Sequence, residues 1–239
     1  MSEVRSVAQR GDLFDQRVRE HWTGQLGRRL DVLVAGCAHD EPLAPERVET
    51  RCTGVDEDHP AIRKVLDERA DLVAWSLGDL RGVPLPPRSY DLIQLSFLLE
   101  RVRHAELVLD RLLQALRPGG LVLLRMRDRG SAYGLLDRLT PRWLRRALWR
   151  AVVRPGTPGP LPAVYEPLTS ADGMHAFCLS RGLMVTDEER RASGPARSSR
   201  LGRAAIAAVS RLTSGRCPAG HDEITMVIRK PQHHFARVL

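Results

Sequence analysis

Apolar residues at Leu13, Phe14, Val18, Trp22, Leu26 and Leu30 recur with three-to-four spacing, and this predicts a helix over residues 9–29. The pattern then changes to short apolar runs. Residues 32–35, 53–56, 71–77, 90–96 and 121–126 each read as a strand. The run at 90–96 is nearly continuous in its apolar character, as expected of a strand buried on both faces of a parallel sheet. Helical periodicity separates these runs. Residues 57–68 read as a helix with Pro60 confined to its first turn, and residues 106–116 read as a strongly periodic helix stopped by Arg117, Pro118, Gly119 and Gly120. Alternating strands and helices joined by short turns predict an α/β, doubly wound, mostly parallel sheet.

Beyond Arg127 the pattern is different. Thr140 and Pro141 read as a cap and first helical turn. Trp143, Leu144, Ala147, Leu148, Ala151 and Val152 then share one helical face, with Arg142, Arg145, Arg146 and Arg150 on the other. Residues 154–162 carry four prolines and two glycines and read as a loop. A helix over 170–181, capped by Ser170, precedes a strand at 183–186. Residues 192–202 read as a mobile Ser/Gly/Arg-rich stretch. Leu201, Ala204, Ala205, Ala208, Val209 and Leu212 predict a second basic amphipathic helix, and residues 223–229 alternate as a seventh strand. The expected organisation is a helical segment over 1–30, an α/β core over 31–126, a cap and substrate region over 127–222, and a final strand and tail over 223–239.

Composition narrows the class. With 239 residues, 43% hydrophobic and 28% charged, the chain can bury a proper core. No run approaches the length of a membrane span, and the first residues lack the apolar stretch of a signal peptide, so a cytoplasmic location is expected. Cys37, Cys52, Cys178 and Cys217 form no paired motif, so neither a metal site nor a disulfide framework is expected. The net charge of +8 is unevenly spread. Residues 125–154 hold nine arginines against Asp128 and Asp137, and residues 190–216 hold seven arginines and no acid.

The candidate chemistry lies in the first two strands. The run at 32–35 breaks into a turn at Gly36, and the run at 53–56 ends in Asp56. A glycine turn after one strand and an acid after the next is how a sheet edge holds a nucleotide-type ligand, with the acid on the ribose hydroxyls. Of three turn positions that would suit glycine, only Gly36 keeps it; Ala38 and Asp40 occupy the others.

The series Val32 to Ala38, Gly54-Val55-Asp56, Gly78-Asp79-Leu80, Leu85 to Ile93, Ser96 to Val102 and Leu116 to Leu124 resembles the class I S-adenosylmethionine-dependent methyltransferases. The resemblance implies a Rossmann-like, seven-stranded fold with S-adenosylmethionine as cofactor. It implies that Gly36, Cys37 and Ala38 pack under the methionine part, that Asp56 binds the ribose hydroxyls, that Asp79 and Leu80 flank the adenine, and that Glu57 and Ser96 also bind the cofactor. Asp40 or Glu41 could instead face the sulfonium or amino group. Glu100 and His104 follow the fourth strand on the reaction face, and His104 is a candidate general base. Tyr133, Tyr165 and His175 lie in segments that often cover substrate. The implied activity is methyl transfer to a small molecule, most simply to an oxygen of a sugar, a lipid-linked glycan or a secondary metabolite in natural-product biosynthesis. A scaffold that has lost catalysis and a fold recruited to another reaction are the alternatives. The basic amphipathic segments suit a cap packed on the sheet or peripheral contact with an anionic membrane. Nucleic acid is not an expected partner, since no RNA-binding module is recognisable and aromatic residues make up 5%.

Overall fold

The structure, a computed structural model, describes residues 12–38, 43, 48–141, 143–144, 162–194, 197, 199 and 200–232. Helix α1 (Asp12–Gly24) precedes β1 (Leu30–Ala35), β2 (Thr50–Asp56), α2 (Pro60–Leu66), β3 (Leu72–Leu77) and β4 (Tyr90–Ser96). Then follow α3 (Ala105–Ala115), β5 (Leu116–Arg127), α4 (Ala132–Leu139), α5 (Ala171–Ser180), β6 (Met184–Arg191), α6 (Arg200–Leu212) and β7 (Glu223–Arg229). The seven strands form one sheet in the order β3-β2-β1-β4-β5-β7-β6. β1 to β5 pair in parallel, and β7 runs antiparallel to both β5 and β6. This is the expected doubly wound sheet. Its strand order reverses between β1 and β4, so a crevice opens beyond their carboxyl ends.

Apolar side chains cover both faces. Phe14 and Val18 of α1, with Ile62 and Leu66 of α2, pack beside Val32, Leu92 and Leu123 on one face. α3 and α5 pack Leu109, Leu112, Met174 and Phe177 against Leu33, Ile93 and Leu124 on the other. At the opposite edge from the crevice, Asp91 ties three segments. Its carboxylate accepts from Arg28, from Arg117 Nη1 at 2.6 Å and from the Asp31 amide at 3.0 Å.

Several elements differ from expectation, each for a physical reason. β5 begins at Leu116, so Arg117–Gly120 is a bulge inside a strand rather than a stop. The register jumps from Tyr90↔Leu116 to Leu92↔Leu121. The bulge is tied to the end of β7, because the Gly119 amide donates to Lys230 O at 2.9 Å and Lys230 Nζ donates to Leu113 O and Leu116 O. β6 extends through Arg191, into polar residues that alternation of apolar side chains cannot reveal; it is an edge strand, and Arg190–Glu188 pair on one face and Arg191–Glu189 on the other, each two residues apart. α4 was not expected at all. It starts at Ser131, whose Oγ accepts from the Gly134 amide at 3.0 Å and donates to Asp128 O at 2.8 Å. α2 starts at Pro60 and is shorter than expected. Most of the amphipathic segment after Thr140 lies outside the described residues.

Candidate active site

The crevice is built from the turn after β1 upward. Gly36 has φ +81°, and a Cβ there would stand 2.6 Å from Ser96 O, so β1 and β4 approach as closely as they do only because this residue has no side chain. The next two residues turn inward. Cys37 is buried, its thiol pushed up to about 12 by burial, and Arg69 Nη1 donates to its carbonyl at 2.7 Å.

Asp56 ends β2 beneath this turn and is completely buried. Its Oδ2 accepts from the Ala38 amide at 3.2 Å, and its Oδ1 accepts from the Glu57 amide at 2.8 Å and from Arg101 Nη2 at 2.6 Å. Burial pushes the carboxyl up, against the pull of Arg101 and the two amides. Arg101 was not singled out by the sequence. Its side chain is 2% exposed, and its Nε and Nη1 have no hydrogen-bond partner. Nη2 also stands 3.3 Å from where a Cβ of Gly36 would be, so the guanidinium lies across the glycine turn. Glu57 is half-buried and raised by burial, with the charge of Arg101 acting in the opposite direction.

The adenine-side candidates are placed differently from each other. Leu80 is buried, as an apolar slot requires. Asp79 is exposed and chelated by its neighbour: Arg81 Nε and Nη2 and the Arg81 amide all donate to it, holding the carboxyl down at about 2. Its carboxylate also feels the charges of Glu57 and His104, so Asp56, Glu57, Asp79, Arg101 and His104 form one electrostatic neighbourhood. Ser96 is buried at the end of β4.

His104 is a poor general base as it stands. It caps α3 in the left-handed region at φ +58°, its amide donates to Glu166 Oε1 at 2.7 Å, and its side chain is exposed beside a shallow groove lined by Leu107, Asp110, Glu166 and Leu168. The buried acid on the reaction face is Glu100. Oε1 accepts from the Arg127 amide at 3.3 Å, Oε2 has no partner, and burial pushes the carboxyl up to about 7 against the charges of Arg127 and Arg101.

A polar layer lies beyond Glu100. Arg127 stacks over Phe97 at 4.5 Å and over Tyr133 at 5.8 Å, and its Nη1 donates to Ser193 Oγ at 2.8 Å and faces Asp222 and Glu223. Tyr165 is buried and donates to Asp137 at 2.9 Å; burial raises both Tyr133 and Tyr165. His175 instead pairs with Glu188 on an exposed surface. Cys217 and His221 are not joined; the His221 ring contacts Asp128 at 3.0 Å. Among the described residues no group of three or more His, Cys, Asp or Glu is placed to hold a metal. Asp40 and Glu41 lie outside the described residues.

A family model described as a methyltransferase domain matches residues 9–156. The chain belongs to this methyltransferase family. The match also supports S-adenosylmethionine as its cofactor. The fold is similar to that of an S-adenosylmethionine-dependent methyltransferase from Mesorhizobium loti (17% identity, 85% of this chain and 92% of that one, TM-score 0.54). It is similar to a sarcosine dimethylglycine methyltransferase candidate from Galdieria sulphuraria (16% identity, 96% and 89%, TM-score 0.57). It is also similar to the cyclase SpnF (16% identity, 97% and 85%, TM-score 0.56). A comparison with curated proteins gave no sequence match.

The buried carboxylate of Asp56 at the end of β2, beneath a glycine turn that a Cβ at Gly36 would fill, suits a nucleoside ligand held by its diol. The residues therefore fit the methyltransferase cofactor, with one qualification of geometry: the ribose acid is covered by Arg101.

Proposed function

We propose that this chain is an S-adenosylmethionine-dependent methyltransferase acting on a small molecule, with transfer to a hydroxyl oxygen. The observation that carries the reading is that Gly36, Asp56, Leu80 and Glu100 lie at or just after the carboxyl ends of β1, β2, β3 and β4, within a family match that covers them all. When bound, the cofactor supplies a methyl group on a positively charged sulfur. Asp56 would hold the ribose hydroxyls, Leu80 would line the adenine slot, and the turn at Gly36 to Ala38 would lie along the methionine part. The protein's remaining work is alignment and proton removal. Glu100 is better suited to the latter than His104. It is buried, its Oε2 is free, and a carboxyl titrating near neutrality can take a proton from a substrate hydroxyl. Calorimetric titration with S-adenosylmethionine and S-adenosylhomocysteine tests the reading. Binding in the micromolar range is expected, and no heat up to millimolar ligand from either the natural protein or Arg101→Met overturns it.

A second reading, in which the fold serves as a scaffold or carries another reaction, is favoured by one observation: Asp56 is internally satisfied by Arg101 and two amides. The similarity to a cyclase is compatible with it. The titration separates a scaffold that has lost the cofactor from a methyltransferase; a fold that binds cofactor but carries another reaction is separated by the absence of S-adenosylhomocysteine formation on turnover.

The reading includes peripheral contact with an anionic surface through α6. Leu201 and Leu212 are exposed on this helix, beside the exposed Arg200, Arg203 and Arg211. No helix among the described residues is long and apolar enough to cross a membrane.

A further inference from the structure

The role of Arg101 goes beyond the family assignment. Its guanidinium satisfies Asp56 Oδ1 at 2.6 Å and lies against Gly36, so it occupies the two places from which a nucleoside diol and a methionyl chain would be held. Both members of the pair are withdrawn from solvent, and no face of the Asp56 carboxylate is left open. Yet the pair is incompletely matched. Arg101 leaves Nε and Nη1 unpartnered in a buried setting, where each unmade bond is costly. A neighbouring acceptor exists: the half-buried carboxylate of Glu57, next in sequence to Asp56, already feels the charge of Arg101. The segment that carries Arg101 runs from Phe97 at φ +51° to His104 at φ +58°, so two non-glycine residues in the left-handed region bracket it.

We propose that Arg101 is a latch on the ribose acid: it closes Asp56 in the free protein and must leave it before a nucleoside diol can be held there. This rests on the methyltransferase reading of the same site. In the closed form the pair neutralises a buried carboxylate that would otherwise face the crevice alone. In the open form Glu57 receives the guanidinium, and Asp56 is free to accept two hydroxyls. The exchange replaces one set of polar contacts by another, so occupancy is governed by the balance between them rather than by the ligand contacts alone. The latch also favours nucleosides with an intact diol, because a ligand lacking either hydroxyl would leave Asp56 under-satisfied after Arg101 departs.

The test is calorimetric titration of the full chain with S-adenosylhomocysteine, comparing the natural protein with Arg101→Met. Removal of the latch is expected to tighten binding at least tenfold and to lower the melting temperature of the ligand-free protein, because Asp56 is then buried without its cation. The double variant Arg101→Met/Asp56→Leu controls for folding: it is expected to recover the melting temperature and to lose the tenfold gain. Binding by Arg101→Met but not by the natural protein also supports the latch. Equal or weaker binding by a folded Arg101→Met overturns the latch and leaves the methyltransferase reading standing. Absence of binding to both proteins overturns both. If Arg101→Met does not fold, Arg101→Gln takes its place and is held to the same tenfold criterion.

Discussion

Two side chains and one missing side chain decide what this site can do. Gly36→Ala would put a methyl 2.6 Å from Ser96 O and 3.3 Å from Arg101 Nη2, at a φ that alanine adopts reluctantly. The expected loss is about 2–4 kcal/mol, from left-handed strain plus overpacking. Urea denaturation measures it, and a loss below about 1 kcal/mol would mean that β1 and β4 can separate at this point. Glu100 makes a different kind of prediction. Its carboxyl is raised from an ordinary 4.5 to about 7 by burial, with Arg127, Arg101, Tyr133 and Tyr165 facing it. A raised acid favours folding while it is protonated. Its contribution is therefore complete below about 4.5 and is lost as pH rises through 7, by about 3 kcal/mol in all. Glu100→Gln keeps the shape and removes the proton equilibrium. Relative to the natural protein, this variant should gain stability as pH rises from about 4.5 to about 7 and then level off. Parallel stability curves for the two proteins across that range would mean that the carboxylate is solvated after all.

At the scale of elements, capping by side chains outweighs intrinsic propensity. α4 is short and contains Gly134, so it offers little periodic signal; the buried Ser131 holds its start with an accepted and a donated bond. Ser131→Ala should cost about 1–2 kcal/mol in thermal or urea unfolding, whereas Ser131→Asp, which keeps an acceptor for the Gly134 amide, is resisted by Asp128 beside it. A Ser131→Ala variant of unchanged stability would show that α4 is held by its packing on α6 alone. This also explains which elements could be read from the sequence. β1, β2, β4 and β7 were legible because their apolar runs are buried in the middle of the sheet. β6 was half legible because an edge strand can carry Glu188 to Arg191 and still pair. The start of β5 was misread because Pro118, Gly119 and Gly120 look like a stop, whereas Lys230, a residue more than a hundred positions away, turns them into a bulge. The candidate site divides similarly. Gly36 and Asp56 follow from spacing and Leu80 from the family resemblance, but Arg101 carried no local signal. A single arginine in a short connection is ordinary until the sheet brings it beneath β2.

At the scale of the whole molecule, the question is how much of the concentrated positive charge is available. Residues 125–154 and 190–216 hold sixteen arginines, and the sequence alone suggests a strongly basic cap. Topology supports the location. β5 and β6 both end where β7 begins, through Arg127↔Glu223 and Arg191↔Glu223, so α4 and α6 stand on the carboxyl edge beside the crevice. Part of the charge, however, is spent within the fold. Arg127 is held in the polar layer, Arg125 stacks on Phe14, Arg190 and Arg191 pair with Glu188 and Glu189, and Arg197 clamps Asp222. The arginines that α6 presents to solvent are Arg200, Arg203 and Arg211, and at roughly 1 kcal/mol for each that reaches an anionic surface they supply about 3 kcal/mol. That corresponds to a preference of about a hundredfold for anionic over neutral vesicles at low salt, decaying as the Debye length shortens. Co-sedimentation should show this preference in the natural protein. It should be absent from a variant with Arg200, Arg203 and Arg211 all changed to Gln, while Leu201→Ser/Leu212→Ser should weaken binding to both vesicle types. If the triple variant binds anionic vesicles as well as the natural protein does, α6 is not the contact and its exposed leucines serve another surface.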